Sequence, residues 1–253
     1  MNWEGLYTLF YKELKRFGKV ALQTIMAPIV TALLYLLVFS HVLEAHVSVY
    51  ENVTYTAFLI PGLMMMSIIQ NAFANSSSSL IQSKVTGNII FVLLTPLSYL
   101  EFYLAFLLAS ITRGIVVGLG IFIVAILFVS LPLHSILWLI LFAFVSSAVL
   151  GTMGIIAGIW AEKFDHMAGF QNFIIMPLSF LSGVFYSIHS LPEFWQVLSK
   201  FNPFFYMIDG FRYGFFGISD VNPVFSLSVV IIFWIGLGWF TLSLLKSGYK
   251  LRD

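Results

Sequence analysis

Three groups of polar residues stand out in an otherwise apolar chain. Gln70, Asn71 and Asn75 lie close together, with Arg113 further on; Asn202, Pro203, Tyr206, Asp209 and Arg212 form a second set; and Gly87, Thr95 and Pro96 punctuate the apolar stretch from Lys84 to Ser98. Amides and hydroxyls of the first set can pack against neighbouring helices or line the cytoplasmic half of a path, with packing the first reading. Asp209 and Arg212 are three apart and can pair on one helical face. His41, Glu44, His46 and Glu51 offer imidazoles and carboxylates, but their irregular spacing reads as solvated loop residues and no metal is expected. Asn52-Val53-Thr54 fits a glycosylation acceptor pattern.

Enzyme chemistry has little footing. No G-x-x-x-x-G-K-[ST] loop occurs: Gly18-Lys19 is followed by Val20 and lacks the upstream glycine. HExxH and GxSxG are missing as well, which removes zinc-peptidase and serine-hydrolase readings. With no cysteine there is neither a disulfide framework nor a thiolate metal site. If ATP hydrolysis drives this chain, the ATPase is another polypeptide.

The elements that must hold these groups are membrane helices. Sixty per cent apolar residues, nine per cent charged ones and a mean hydropathy of +0.99 are more than a water-soluble fold of 253 residues can cover with polar surface. The first long apolar run is too long for a cleavable signal peptide and lacks a small-residue cleavage pattern. Charge-free intervals place spans near 20–42, 56–78, 102–128, 136–160, 170–187 and 223–245, six in all. With the N-terminus in the cytoplasm, nine basic residues (Lys12, Lys15, Arg16, Lys19, Lys84, Lys163, Lys246, Lys250 and Arg252) fall inside and two, Lys200 and Arg212, outside, so both termini are cytoplasmic. Arg113 lies inside a span, at a cost of about 2.5 to 3.5 kcal/mol on insertion scales, so it must face protein or water or snorkel toward the cytoplasm. The other spans carry no acidic residue, which argues against a proton or sodium relay.

Outside the spans three further elements are expected. Residues 1–19 form an interfacial helix, with Trp3, Leu6, Tyr7, Phe10, Leu14 and Phe17 at helical spacing and Glu4, Lys12, Lys15, Arg16 and Lys19 on much of the other surface. Residues 84–98 are too few to span and read as a cytoplasmic surface helix over 88–95, with Ile89, Ile90, Leu93 and Leu94 sharing a face and Pro96 breaking it. Residues 187–217, outside by this topology, are aromatic and interrupted at Asn202-Pro203, which fits two short helices in a re-entrant hairpin. The spacing of Gly114 and Gly118, and of Gly151, Gly154 and Gly158, predicts close helix packing. The fold class is thus an all-α integral membrane domain over 1–253.

Gly87 followed by Leu93-Leu94-Thr95-Pro96-Leu97-Ser98, running straight into a hydrophobic helix, resembles the cytoplasmic segment of type-2 ABC exporter permeases, the membrane subunits of drug and polysaccharide export. Asn202-Pro203 with Tyr206, then Asp209-Gly210-Phe211-Arg212-Tyr213 before the last span, resembles the NP-x-x-Y run and following arginine of the same family. The resemblance implies a multi-pass permease of the cell inner membrane, working as two copies with two ABC ATP-binding subunits. ATP and Mg would sit on those partners, with no cofactor on this chain and no nucleic acid involved. It makes 84–98 a coupling helix, with Gly87, Leu93, Leu94, Thr95 and Pro96 as ATPase contacts. It also makes the 187–217 hairpin an external gate built on Asn202, Pro203, Tyr206, Asp209 and Arg212. Gln70, Asn71, Asn75 and Arg113 become candidates for the translocation path. Cargo remains open between an amphiphilic drug, a lipid and a lipid-linked glycan; an ATP-independent channel or membrane scaffold is the alternative of another class.

Overall fold

The computed structural model describes residues 2–43 and 53–250; the loop residues Glu44, His46, Glu51 and Asn52 lie outside them, and with them the metal and glycosylation readings. The described chain is helical throughout, as α1 (Trp3–Lys19), α2 (Ala21–Leu43), α3 (Tyr55–Val85), α4 (Ile89–Leu93), α5 (Tyr99–Ala125) and α6 (Ile136–Trp160), then α7 (Phe164–Phe170), α8 (Met176–Phe180), α9 (Glu193–Lys200), α10 (Pro203–Phe216) and α11 (Pro223–Ser247). Among the described residues five helices are long and apolar enough to cross a membrane: α2, α3, α5, α6 and α11.

Local sequence sets the boundaries. Asn2, Thr54 and Ser98 each accept a hydrogen bond from a first-turn amide, and Ser98 with Glu101 closes a capping box that starts α5. The chain uses one device twice near its end: Asn202-Pro203 opens α10 and Gly217 closes it, while Asn222-Pro223 opens α11 and Gly248 closes it. Proline at the first helical position gives up no bond, and both glycines sit at φ of 69°, where a Cβ is strained.

α3 is the axis of the bundle, buried along most of its length against α2, α5, α6 and α10. Its neighbours approach closely because they present small residues. A Cβ on Gly114 would lie 2.9 Å from the Ile68 carbonyl oxygen, one on Gly154 would meet Ser76 and the Phe73 carbonyl, and one on Gly158 would lie 2.7 Å from Leu80 Cβ. The predicted glycine packing is therefore present: Gly114, Gly118, Gly154 and Gly158 receive α3, and Gly151 receives Ser110 of α5. Polar ties pin the rest: Trp234 Nε1 of α11 donates to Tyr103 Oη at 3.2 Å, and that hydroxyl is 2.9 Å from Thr152 Oγ1.

Four expected spans match helices to within a few residues, but two differ. α3 runs seven residues past its predicted end at 78, because the serines and amides that end the hydropathy do not end the helix. The stretch expected over 170–187 is helical from Phe164 to Phe180, with Gln171–Ile175 wound as a π-turn between α7 and α8. Phe170 packs near Trp160 at the end holding α4, and Asn202 Nδ2 donates to Leu178 O at 2.7 Å at the end holding α9 and α10.

Candidate functional site

The α3–α5 connector begins where Lys84, in the last turn of α3, donates through Nζ to the carbonyls of Ile159 (2.7 Å) and Ala161 (2.6 Å). These belong to the orphan acceptors of the α6 terminus, so one ammonium caps α6 and ties it to α3. Gly87 then turns the chain at φ 73°, a left-handed conformation that favours glycine. In the five-residue α4 Ile89 is buried and Val92 half-buried against the same cluster; Ile90, Phe91 and, at the C-cap, Leu94 project outward, with Phe91 71% and Leu94 76% exposed. The expected apolar face of Ile89, Ile90, Leu93 and Leu94 is thus divided. Positions 90, 91 and 94 form the outer face, while Leu93 borders a 230 Å³ groove with Leu97, Phe102 and Leu245. Thr95 closes the turn by donating Oγ1 to Val92 O at 2.6 Å, and Pro96 prevents its continuation.

α1 is clasped to the same connector. Glu101 accepts from the Ser98 amide at 2.8 Å and from the Asn2 amide, and a Cβ on Gly5 would lie 2.6 Å from Leu97 Cδ2. From there α1 runs along α5, burying Leu6, Leu9, Glu13 and Phe17 while Trp3, Tyr7 and Tyr11 stay exposed. The expected apolar face is again divided, because a buried acid replaces one of its members. Glu13 pairs with Arg16 at 3.1 Å and Lys12 at 3.3 Å. Arg16 reaches on into α3, donating to Asn75 O (2.8 Å), Asn75 Oδ1 (3.0 Å) and Ser78 Oγ (3.3 Å).

The first polar set is therefore split between shared and accessible positions. Asn75 is fully buried, its amide 3.5 Å from Ser110 Oγ. Gln70 and Asn71 are part-exposed, and Asn71 Oδ1 accepts from Arg113 Nη2 at 3.3 Å.

At the opposite end Asp209 and Arg212 do not pair with each other; among the described residues each instead holds a different loop. Asp209 accepts from the amides of Asp220 (2.7 Å) and Val221 (3.0 Å), fixing the α10–α11 turn. Arg212, 1% exposed, donates to Gly183 O at 2.8 Å and lies 3.8 Å over the Phe58 ring, fixing the turn after α8 to α3. Asp220 accepts from Ser187 Oγ and the Ile188 amide, so the two loops are also joined. Asn202 caps α10 through Phe204 N, and Tyr206 donates to Lys200 O at 2.8 Å, locking α9 to α10. Burial, opposed chiefly by the Asp220 amide, pushes the Asp209 carboxyl up to about 6.

Nothing in the sequence marks Glu13, Glu101 or Asp220 as site residues, and Lys84 stands out there only as the start of the apolar stretch and as an inside charge. The Ser98-x-x-Glu101 capping box and the Glu13–Arg16 spacing were readable signals; the remote partners of Lys84 and Asp220 were not.

The described residues thus make a helical membrane protein with an apolar-tipped connector at one end and a latched short-helix pair at the other. The chain belongs to the ABC-2 type transporter family, whose profile matches residues 4–216. It is 34% identical to the inner membrane transport permease YadH of Escherichia coli (strain K12) over 253 residues, all of this chain and 99% of that protein. It is also 24% identical over 236 residues to nodulation protein J of Rhizobium leguminosarum bv. viciae, covering 92% of this chain and 89% of that one. The resemblance read from the connector and the NP-x-x-Y run thus holds for the family.

Proposed function

We propose that this chain is the permease subunit of an ATP-driven exporter of the cell inner membrane, moving an amphiphilic drug, lipid or glycan-type cargo outward. The whole chain acts as one membrane domain with six crossings, α7 and α8 together making the one that lacks a long helix. Both termini and α4 are cytoplasmic, and α9 and α10 dip into the outer leaflet as a re-entrant pair. Two copies enclose the path, and two ATP-binding subunits, which carry ATP and Mg, dock on the connectors.

The observation that carries this reading is the outward face of Ile90, Phe91 and Leu94. Bulky apolar groups at the tip of a rigidly based connector suit a partner's groove better than water. Gly87, Leu93, Leu94, Thr95 and Pro96 set the shape of that tip. Because Lys84 ties α3 to α6 and Glu101 ties α1 to α5, a push on α4 reaches four helices together. At the far end Asn202, Pro203, Tyr206, Asp209 and Arg212 hold the external gate through loops that such a shift would strain. Gln70, Asn71 and Arg113 border the path, and the fully buried Asn75 braces it.

Affinity purification of the tagged chain in mild detergent tests the reading. A Walker-motif protein should accompany it at equal stoichiometry and be lost when Leu94 and Pro96 are replaced by glutamate in a chain that still inserts. Absence of any such protein from the wild-type complex would instead favour an ATP-independent channel or scaffold.

A further inference from the structure

Arg113 has no counter-charge among the described residues. Its Nη2 makes one long bond, to Asn71 Oδ1 at 3.3 Å, and its Nε is buried without a partner. The neighbouring helices offer little else. On α1, Phe17 presents its ring 5.8 Å away, Arg16 is close enough to repel the guanidinium, and Glu13 is committed to Arg16 and Lys12. On α3 the residues from Gln70 to Ser79 include no acid, and along α5 the nearest is Glu101. Arg113 nevertheless keeps part of its surface accessible, beside a stripe of α3 (Gln70, Asn71, Ala74, Ser78) that is also part-exposed. Arg16 and Arg113 lie at the two ends of that stripe, and Lys12, Lys15 and Lys19 are exposed on α1 nearby.

We propose that Arg113, assisted by Asn71 and the field of Arg16, binds a phosphate group, the head group of an anionic phospholipid or a free phosphate. A guanidinium matches phosphate oxygens in geometry as well as charge, and Arg113 spends only Nη2, in one long bond, on a protein acceptor while part of its surface stays accessible. Anionic head groups are also drawn to clustered lysines at a membrane surface. Arg113 and Asn71 also border the path proposed above; binding is read directly on the delipidated chain, so it stands or falls apart from the exporter reading.

Native mass spectrometry of the delipidated protein, titrated with phosphatidylglycerol or phosphatidylcholine, tests it. The wild type should retain phosphatidylglycerol over phosphatidylcholine by about ten-fold. Arg113→Gln should lose that preference and Arg113→Lys keep part of it. Asn71→Asp, which places a carboxylate on the guanidinium, should also lose it while leaving Arg113 in place, so the test survives if Arg113→Gln does not fold. Inorganic phosphate that displaces phosphatidylglycerol and raises the melting temperature identifies a site open to the free anion; lipid binding untouched by phosphate identifies the head group in its bilayer. No preference for the anionic lipid, or a preference unchanged in folded Arg113→Gln and Asn71→Asp, would overturn the proposal.

Discussion

Arg212 and Asp209 do their work through backbone. Each buried charge is matched by peptide groups of a distant loop, so trimming either leaves loops as well as charges unsatisfied. Arg212→Lys keeps the charge but loses the planar contact with Phe58 and the reach to Gly183. It should destabilise the protein by about 2 kcal/mol, read as a lower melting temperature in detergent at unchanged expression. Asp209 gives a prediction in pH. Its carboxyl, at about 6, lies above its ordinary 3.8, so the fold binds this proton more tightly than the unfolded chain does. Stability from this group is therefore gained as pH falls through 6 toward 3.8 and lost as pH rises above 6. Melting at pH 5.5 should exceed that at pH 7.5 by an amount worth roughly 1 kcal/mol, and Asp209→Asn should flatten the difference. Both residues were conspicuous in the sequence as charges in an aromatic run. Their partners were not, because nothing local in Asp209 points to residues 220 and 221, or in Arg212 to residues 183 and 184.

Elements explain which helices must keep their distance. The three glycines of α6 face α3 and α5 with no room for a methyl group; the Cβ of Gly154 would fall 2.5 Å from the Phe73 carbonyl oxygen. Gly154→Ala must part α3 from α6 and should cost about 1–3 kcal/mol, whereas Gly236→Ala in α11, with open space around it, should be neutral in the same thermal assay. Gly87 differs in kind: nothing crowds it, and its φ of 73° alone disfavours a side chain. Gly87→Ala should cost about 1–2 kcal/mol and re-aim α4, lowering transport more than the melting temperature. The long helices were legible because charge-free runs of that length have few other fates. The π-wound stretch between α7 and α8 was legible only as apolar chain, since no residue from Gln171 to Ile175 announces the change of winding. α4 was legible as a short helix but not in its facing, which depends on where Ile89 finds the pocket between α3 and α5.

At the scale of the whole molecule the two ends are built differently on a shared axis. One end gathers the connector, α1 and the α6 terminus around Lys84 and Glu101; the other gathers two loops around Asp209, Arg212 and Asp220. α3 joins them as a single helix of 31 residues, long enough at 1.5 Å per residue to carry a displacement the full depth of a bilayer. α2 and α11 leave most of their apolar surface uncovered, as helices facing lipid or a second copy do. The sequence made the membrane character and the family plain, because composition and two motifs suffice for those. It was silent on assembly, which depends on surfaces that no periodicity distinguishes from lipid-facing ones.

The claim on which the rest depends is that α4 is where an ATP-binding subunit touches this chain. The absence of native cysteine makes the direct measurement simple. A single cysteine at Phe91 should crosslink, through a short bifunctional reagent in native membranes, to a Walker-motif protein, in an amount that changes when ATP is added; one at Phe194, on α9, should not. A Phe91 crosslink only to lipid-embedded proteins, or equal capture of the ATP-binding protein from Phe194, would contradict the account.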